Sequence, residues 1–212
     1  MQRHIITLLI MIAAVSCTSD KTPVYKNASV DIEDRIEDLV GRMTLEEKIL
    51  QLNQSILGVN TVENNFGGAL DNIPSEIGSL IYFSDDAAAR NAMQKKAMEE
   101  TRLGIPILFG HDVIHGYRTI MPVPLAQACS WNPEIVRLGS EVAAQEASSG
   151  GVDWTFSPMV DVARDPRWGR VSEGSGEDTY LGCRIAEAMV RGYQGPDKET
   201  QLTRDDQILA CV

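Results

Sequence analysis

The sequence predicts an α/β fold in which parallel strands alternate with helices. Two observations carry the prediction. Strand-like apolar runs recur at 77–83, 105–109, 152–157 and 207–212, and between them lie segments with helix caps and helical punctuation at 85–103, 132–149 and 177–194. Strand, helix and strand in repetition is the pattern of βαβ units, whose strands are parallel and whose crossovers are right-handed. No internal repeat or low-complexity tract interrupts it.

Taken in order, 31–43 carries Ile32, Ile36, Leu39, Val40 and Met43 at helical spacing, with acids early and Arg42 late, as the helix dipole favours. Thr44-Leu-Glu-Glu47 is a capping box that opens a second helix through Leu52. The stretch 53–75 is rich in Asn and Gly and reads as loop with a short strand at most. After the strand at 77–83, a helix begins at Asp85 as its cap, and Gly104 ends it in the left-handed position. The strand at 105–109 delivers Gly110-His-Asp-Val-Ile-His-Gly-Tyr-Arg118, and Pro122 and Pro124 punctuate the long loop beyond. Asn132-Pro133 is a cap with proline at the first helical position, and Gly150-Gly151 stops that helix.

The chain has 212 residues, 43% hydrophobic and 23% charged, which suits a globular protein with a substantial core. Its net charge of −11 argues against nucleic acid as a partner, since phosphate binding needs a basic surface.

The N-terminus reads as an export signal: Arg3 and His4, then an apolar run from Ile5 to Val15, shorter than the roughly 20 residues a membrane span needs. Ala14-Val15-Ser16-Cys17 resembles a bacterial lipobox, with Ala14 where leucine is usual. That resemblance implies lipidation of Cys17, the alternative being an ordinary signal peptide cut nearby. The expected organisation is a signal peptide at 1–16, a lipid-anchored tether at 17–30 and a folded domain at 31–212, with the periplasm or outer membrane as location. The lipid anchor would be the chain's one attachment to a membrane.

Cys129, Cys183 and Cys211 show no metal-ligand spacing and are expected to be small buried residues. With His4, His111 and His115 the only histidines, a histidine-built metal centre is not expected.

The most informative stretch is 161–178. It gathers Arg164, Arg167 and Arg170, the carboxylates Asp161, Asp165, Glu173, Glu177 and Asp178, and Trp168, where a strand hands over to a helix. In α/β folds that junction is where ligands bind. Arginine forks and paired carboxylate acceptors suit vicinal hydroxyls, and an indole offers a flat apolar face, so the ligand suggested is a sugar. Any one of these residues taken singly would serve as a loop brace; the cluster in this position points to a site.

Three motifs stand in order: R-I-E-D-L-V-G-R-M-T-L-E-E-K-I-L-Q-L at 35–52, G-H-D-V-I-H-G-Y-R-T-I-M-P-V-P-L-A at 110–126, and S-P-M-V-D-V-A-R-D-P-R-W-G-R-V-S-E-G-S-G-E-D-T-Y-L at 157–181. Together they resemble glycoside hydrolase family 3, and within it the exported bacterial β-glucosidases. The resemblance implies a (β/α)8 barrel of the triosephosphate-isomerase type, of which this chain would be the N-terminal half. It implies removal of terminal β-D-glucosyl residues from non-reducing ends with retention of configuration and no cofactor, on a β-linked oligosaccharide or glucoside. It also assigns Asp112 and Arg170 to hydroxyls of the sugar at subsite −1.

Asp112 directly follows a strand, so its carboxylate would face the barrel mouth. Trp168 and Glu177 are expected to support the loop, direct sugar contact being the lesser role. His115, beside Gly116, is expected to fix backbone, not to take part in chemistry.

Retaining hydrolysis needs a nucleophile and an acid/base, two carboxylates about 5–5.5 Å apart. The family places its nucleophilic Asp in a Ser-Asp-Trp-like or Ser-Asp-His-like motif after a later strand, and neither motif occurs here, so no catalytic residue is assigned. The family's Lys-His pair would begin just past Val212. The chain is therefore expected to be part of a longer enzyme, to be inactive alone and to be prone to aggregate at its open strand edge. A non-catalytic sugar-binding lipoprotein and a product that does not fold are the competing readings.

Overall fold

The computed structural model describes residues 22–57, 73–83 and 86–212. The expected export signal and Cys17, most of the 53–75 stretch and Asp85 lie outside the described residues.

The chain divides into two compact units, 1–43 and 44–212. In the first, α1 (Ile32–Arg42) starts where expected, with the Asp31 carboxylate accepting from the Glu33 amide at 2.9 Å. Val24–Lys26, inside the stretch expected to be a free tether, instead forms a 3-10 turn tied to α1. The Tyr25 amide donates to Asp38, and Arg35 Nε donates to the Tyr25 carbonyl, both at 3.1 Å.

The second unit opens with α2 (Leu45–Gln51), whose capping box is complete: the Glu47 amide donates to Thr44 Oγ1 and the Thr44 amide donates to Glu47. Then follow β1 (Gln54–Leu57), β2 (Ser79–Tyr82), α3 (Ala87–Glu100), β3 (Leu108–His111), α4 (Pro124–Ala128), α5 (Pro133–Ser149), β4 (Trp154–Thr155) and α6 (Thr179–Gln194). Strands β1 to β4 pair in parallel and in chain order, with Gln54 opposite Ser79, Ser79 opposite Leu108 and Gly110 opposite Trp154. A doubly wound sheet reverses its strand order part-way; this one steps steadily in one direction, as a (β/α) barrel does. The fold class read from the sequence therefore holds.

Where boundaries differ, local chemistry explains it. Strand β3 begins at Leu108, not Ile105. Pro106 has no N–H to give a ladder, and both backbone groups of Ile107 are taken by the Gln94 amide, at 2.7 and 3.0 Å. The Leu108 amide is the first to reach the neighbouring strand, donating to the Gly78 carbonyl at 3.1 Å. Helix α3 is capped by Asp86, which accepts from the Ala89 amide at 3.0 Å. Helix α4 was not foreseen: Pro124, read as loop punctuation, sits at the first helical position, where a missing N–H costs nothing. Helix α6 starts at Thr179, capped by Asp178.

The expected last strand forms a single parallel bridge, Trp154 to Leu209. Its backbone still exchanges 2.8 Å hydrogen bonds with Asp153 and Thr155, and the Cys211 amide donates to the Ser157 carbonyl at 3.1 Å.

Two apolar clusters hold this unit. Leu80 and Phe109 centre one, with Leu57, Ile77, Tyr82 and Ala97 around them. The other packs Val113 and Val152 against Val136, Ala143 and Ala147 of α5 and Ile185 and Met189 of α6. Burying each large side chain contributes about 1.5–3 kcal/mol. Arg90 is buried as well. Its guanidinium lies over the Tyr82 and Phe109 rings and donates to the Gly150 carbonyl, which ties α3 to the end of α5.

The cysteines correct the sequence reading: Cys129 and Cys183 are exposed and Cys211 half-buried, all three as free thiols. Helix α6 buries Ile185, Ala188, Met189, Gly192 and Tyr193, and Cys183 lies off that stripe. Cys129 stands at the end of the short α4.

Candidate functional site

Asp112 is the first residue beyond β3, at the C-terminal end of the parallel strands. Its side chain opens to solvent on one side, while partial burial on the other pushes the carboxyl above its ordinary value. The charges acting on it are those of His111 and Arg170, which favour ionisation, and Glu173, which opposes it.

The loop that follows Asp112 is pinned from two sides. His115 Nδ1 lies 2.9 Å from the Met121 carbonyl, and the Met121 amide donates to the His115 carbonyl at 2.7 Å. Glu146 on α5 accepts from the amides of Arg118 and Thr119 and from the Thr119 hydroxyl, at 2.8, 2.7 and 2.6 Å. The Thr119 hydroxyl bond first, and then the two amides, hold the Glu146 carboxyl below its ordinary value. Both contacts tie His115 to the backbone of Met121. His111, which the sequence reading left without a role, ends β3 with its ring edge-on to Phe83 and Tyr117, centroids 5.2 and 5.4 Å away.

Arg170 comes from the long loop after β4. That loop doubles back on itself, with the Ala163 amide donating to the Gly176 carbonyl at 3.0 Å. Arg170 pairs with Glu173, one 3-10 turn along at Val171–Glu173, and its charge is coupled to Asp161 and Asp112 as well. The Glu173 carboxyl is held below its ordinary value by the Arg170 hydrogen bonds. Asp112 and Arg170 therefore each feel the other's charge, and Glu173 acts on both.

The other cluster members behave differently. Arg167 and Asp165 form a local surface pair, Nη2 to Oδ2 at 2.5 Å, which is loop bracing. Trp168 is half-buried, and its backbone joins two turns, accepting from Val171 and donating to Asp165. Glu177 is exposed and takes no hydrogen bond from the described residues, whereas its neighbours Glu173 and Asp178 do. The Arg-x-x-Glu spacing was the signal for Glu173.

Chemically, an ionised Asp112 is an acceptor for hydroxyl donors, and Arg170, held by Glu173, presents donors in a fixed fork. Comparison with known proteins gives the family. Residues 44–205, more than half of the chain, match the glycosyl hydrolase family 3 N-terminal domain. The chain belongs to glycosyl hydrolase family 3.

Among similar family 3 proteins, a periplasmic beta-glucosidase of Salmonella typhimurium is 41% identical over 76% of this chain and 20% of its own length. A putative beta-xylosidase of Formosa agariphila is 34% identical over 92% of this chain and 28% of its own length. The crystal structure of a beta-glucosidase from Listeria innocua in complex with glucose is 41% identical, with a TM-score of 0.73, covering 85% of this chain and 26% of that one. This chain thus spans about a fifth to a third of the length of the relatives it matches.

Proposed function

We propose that this chain contributes the sugar-binding side of a retaining β-glucosidase that releases terminal β-D-glucosyl residues from non-reducing ends. The observation that carries the reading is that Asp112, directly after β3, and Arg170, from the loop after β4, act on each other's charge. Asp112 would accept from two vicinal hydroxyls of the glycone, and Arg170 would donate to a third from a guanidinium whose Nε and Nη2 are already engaged by Glu173. The likeness to beta-glucosidases of Salmonella and Listeria supports glucose as the sugar. A β-xyloside is the second reading, favoured by the beta-xylosidase relative that aligns with 92% of the chain.

The relative named as periplasmic supports export. On the sequence features of the N-terminus we add a signal peptide at 1–16 and a lipid on Cys17.

Isothermal titration of the 212-residue chain with glucose and with xylose tests the sugar assignment. Binding of one of them on the order of millimolar, abolished by Asp112→Asn and by Arg170→Ala, is the expected result. Equal affinity of the chain and both variants would overturn it. Mass spectrometry of the mature N-terminus, with Cys17→Ala as comparison, tests lipidation.

A further inference from the structure

The residue after Asp112 is entirely buried, and neither of its backbone polar groups has a strand to pair with. The last β3–β4 pair is His111 with Thr155, so Val113 has already left the ladder. Buried backbone groups left without partners are costly. Here both are satisfied by side chains. The Val113 amide donates to Thr155 Oγ1 at 3.0 Å, and the Tyr193 hydroxyl, arriving from α6, donates to the Val113 carbonyl at 2.7 Å. Ser157, two residues beyond Thr155 and so on the same face, places its hydroxyl 3.3 Å from that of Tyr193. Thr155, Ser157 and Tyr193 are all at most 1% exposed.

The consequence for Asp112 follows from connectivity. The N–H that Thr155 holds belongs to the peptide joining Asp112 to Val113, and Tyr193 holds the next peptide. On its other side Asp112 is bonded to the end of β3. Its Cα is therefore fixed from both directions, and only its side-chain torsions remain free. A carboxylate that must meet two hydroxyls at once gains most from such a fixed base.

We infer that Thr155 and Tyr193 are positioning residues for Asp112, their hydroxyls setting the carboxylate in the geometry that sugar binding requires. This rests on the sugar-binding reading above. Their distance from solvent excludes direct contact with the sugar.

The test uses the full 212-residue chain, its Thr155→Val, Thr155→Ser and Tyr193→Phe variants, and hydrogen exchange at the Val113 amide of the unmodified chain. Thr155→Val and Tyr193→Phe should each weaken glucose binding about tenfold, the loss of one well-made buried hydrogen bond. They should also move the pH at which binding is half lost toward that of an ordinary aspartate. Thr155→Ser keeps the hydroxyl and should bind as the unmodified chain does. The Val113 amide should be among the slowest to exchange.

Unchanged affinity and pH profile in folded Thr155→Val and Tyr193→Phe would overturn the inference. So would a Val113 amide exchanging as fast as an open loop, a result that needs no variant to fold. If the unmodified chain binds no sugar, the sugar-binding reading falls, and the positioning role is decided by Val113 exchange and by the Asp112 carboxyl titration followed by carbon NMR. Slow exchange and a titration displaced by Thr155→Val would uphold it.

Discussion

Arg170 grips Glu173 through three short contacts: Nε to Oε1 at 3.0 Å, Nε to Oε2 at 3.1 Å and Nη2 to Oε2 at 2.6 Å. The pair fixes where the exposed guanidinium points, so its effect should be read in ligand affinity and not in fold stability. Exposed pairs contribute about 0.2–1 kcal/mol. Glu173→Gln should weaken glucose binding by up to about fivefold with little change in melting temperature, measured by titration and calorimetry together. The Glu173 carboxyl is held below its ordinary 4.5, so the pair is intact above that pH and is lost as pH falls below it.

Asp112 has the opposite sign. Burial raises its carboxyl above the ordinary 3.8, and Glu173 adds to the rise, against His111 and Arg170. Its ionised form is thus disfavoured in the folded state, a cost to stability that disappears as pH falls through the folded value. On the proposed reading, sugar binding needs that ionised form. Binding should therefore fade on acidification at a pH above 3.8, and Asp112→Asn should show none at any pH. A titration of affinity against pH checks this.

Two glycines of α6 should respond in opposite directions. A Cβ at Gly192 would stand 2.5 Å from the Arg137 carbonyl and from the Ser140 side chain on α5, where backbone cannot yield cheaply. The overlap should outweigh the roughly 1 kcal/mol that alanine gains over glycine in a helix, so Gly192→Ala should destabilise by about 1–3 kcal/mol. Gly182 has open space around its Cβ position, and Gly182→Ala should stabilise by about 0.5–1 kcal/mol. Chemical denaturation of both variants measures the contrast.

The 212-residue chain should release no phenol from an aryl β-glucoside, even where it binds glucose. The sequence contains neither Ser-Asp-Trp nor Ser-Asp-His, the contexts in which the family resemblance sets a nucleophile. Turnover by sequence-verified protein would show that carboxylates present here can serve.

Much of the fold was legible because its signals are local. Thr44 and Asn132 cap helices as read, while Asp31 and Asp178, read as lying within or beside the helix starts, prove to be the caps of α1 and α6. What escaped depends on partners distant in sequence. Gln94 delays β3 by taking both groups of Ile107 from thirteen residues away. Tyr193 reaches Val113 across eighty residues, a relation that no spacing rule reveals. The family motifs singled out Asp112 and Arg170, and the Arg-x-x-Glu spacing was there to be read for Glu173, whereas the edge-on setting of His111 needed three dimensions. The cysteines misled because small apolar character was taken for burial, when helix phase decides it.

Val113 gives the clamp beside Asp112 a consequence for engineering. The two peptide groups flanking Val113 are held by the packed interior and carry Asp112, so on the sugar-binding reading changes near them will trade robustness against recognition. The turn from Arg170 to Glu173 rests on exposed ion pairs and holds no part of either apolar cluster. Libraries aimed at a new sugar preference should therefore diversify that turn and leave the ends of β3 and β4 untouched.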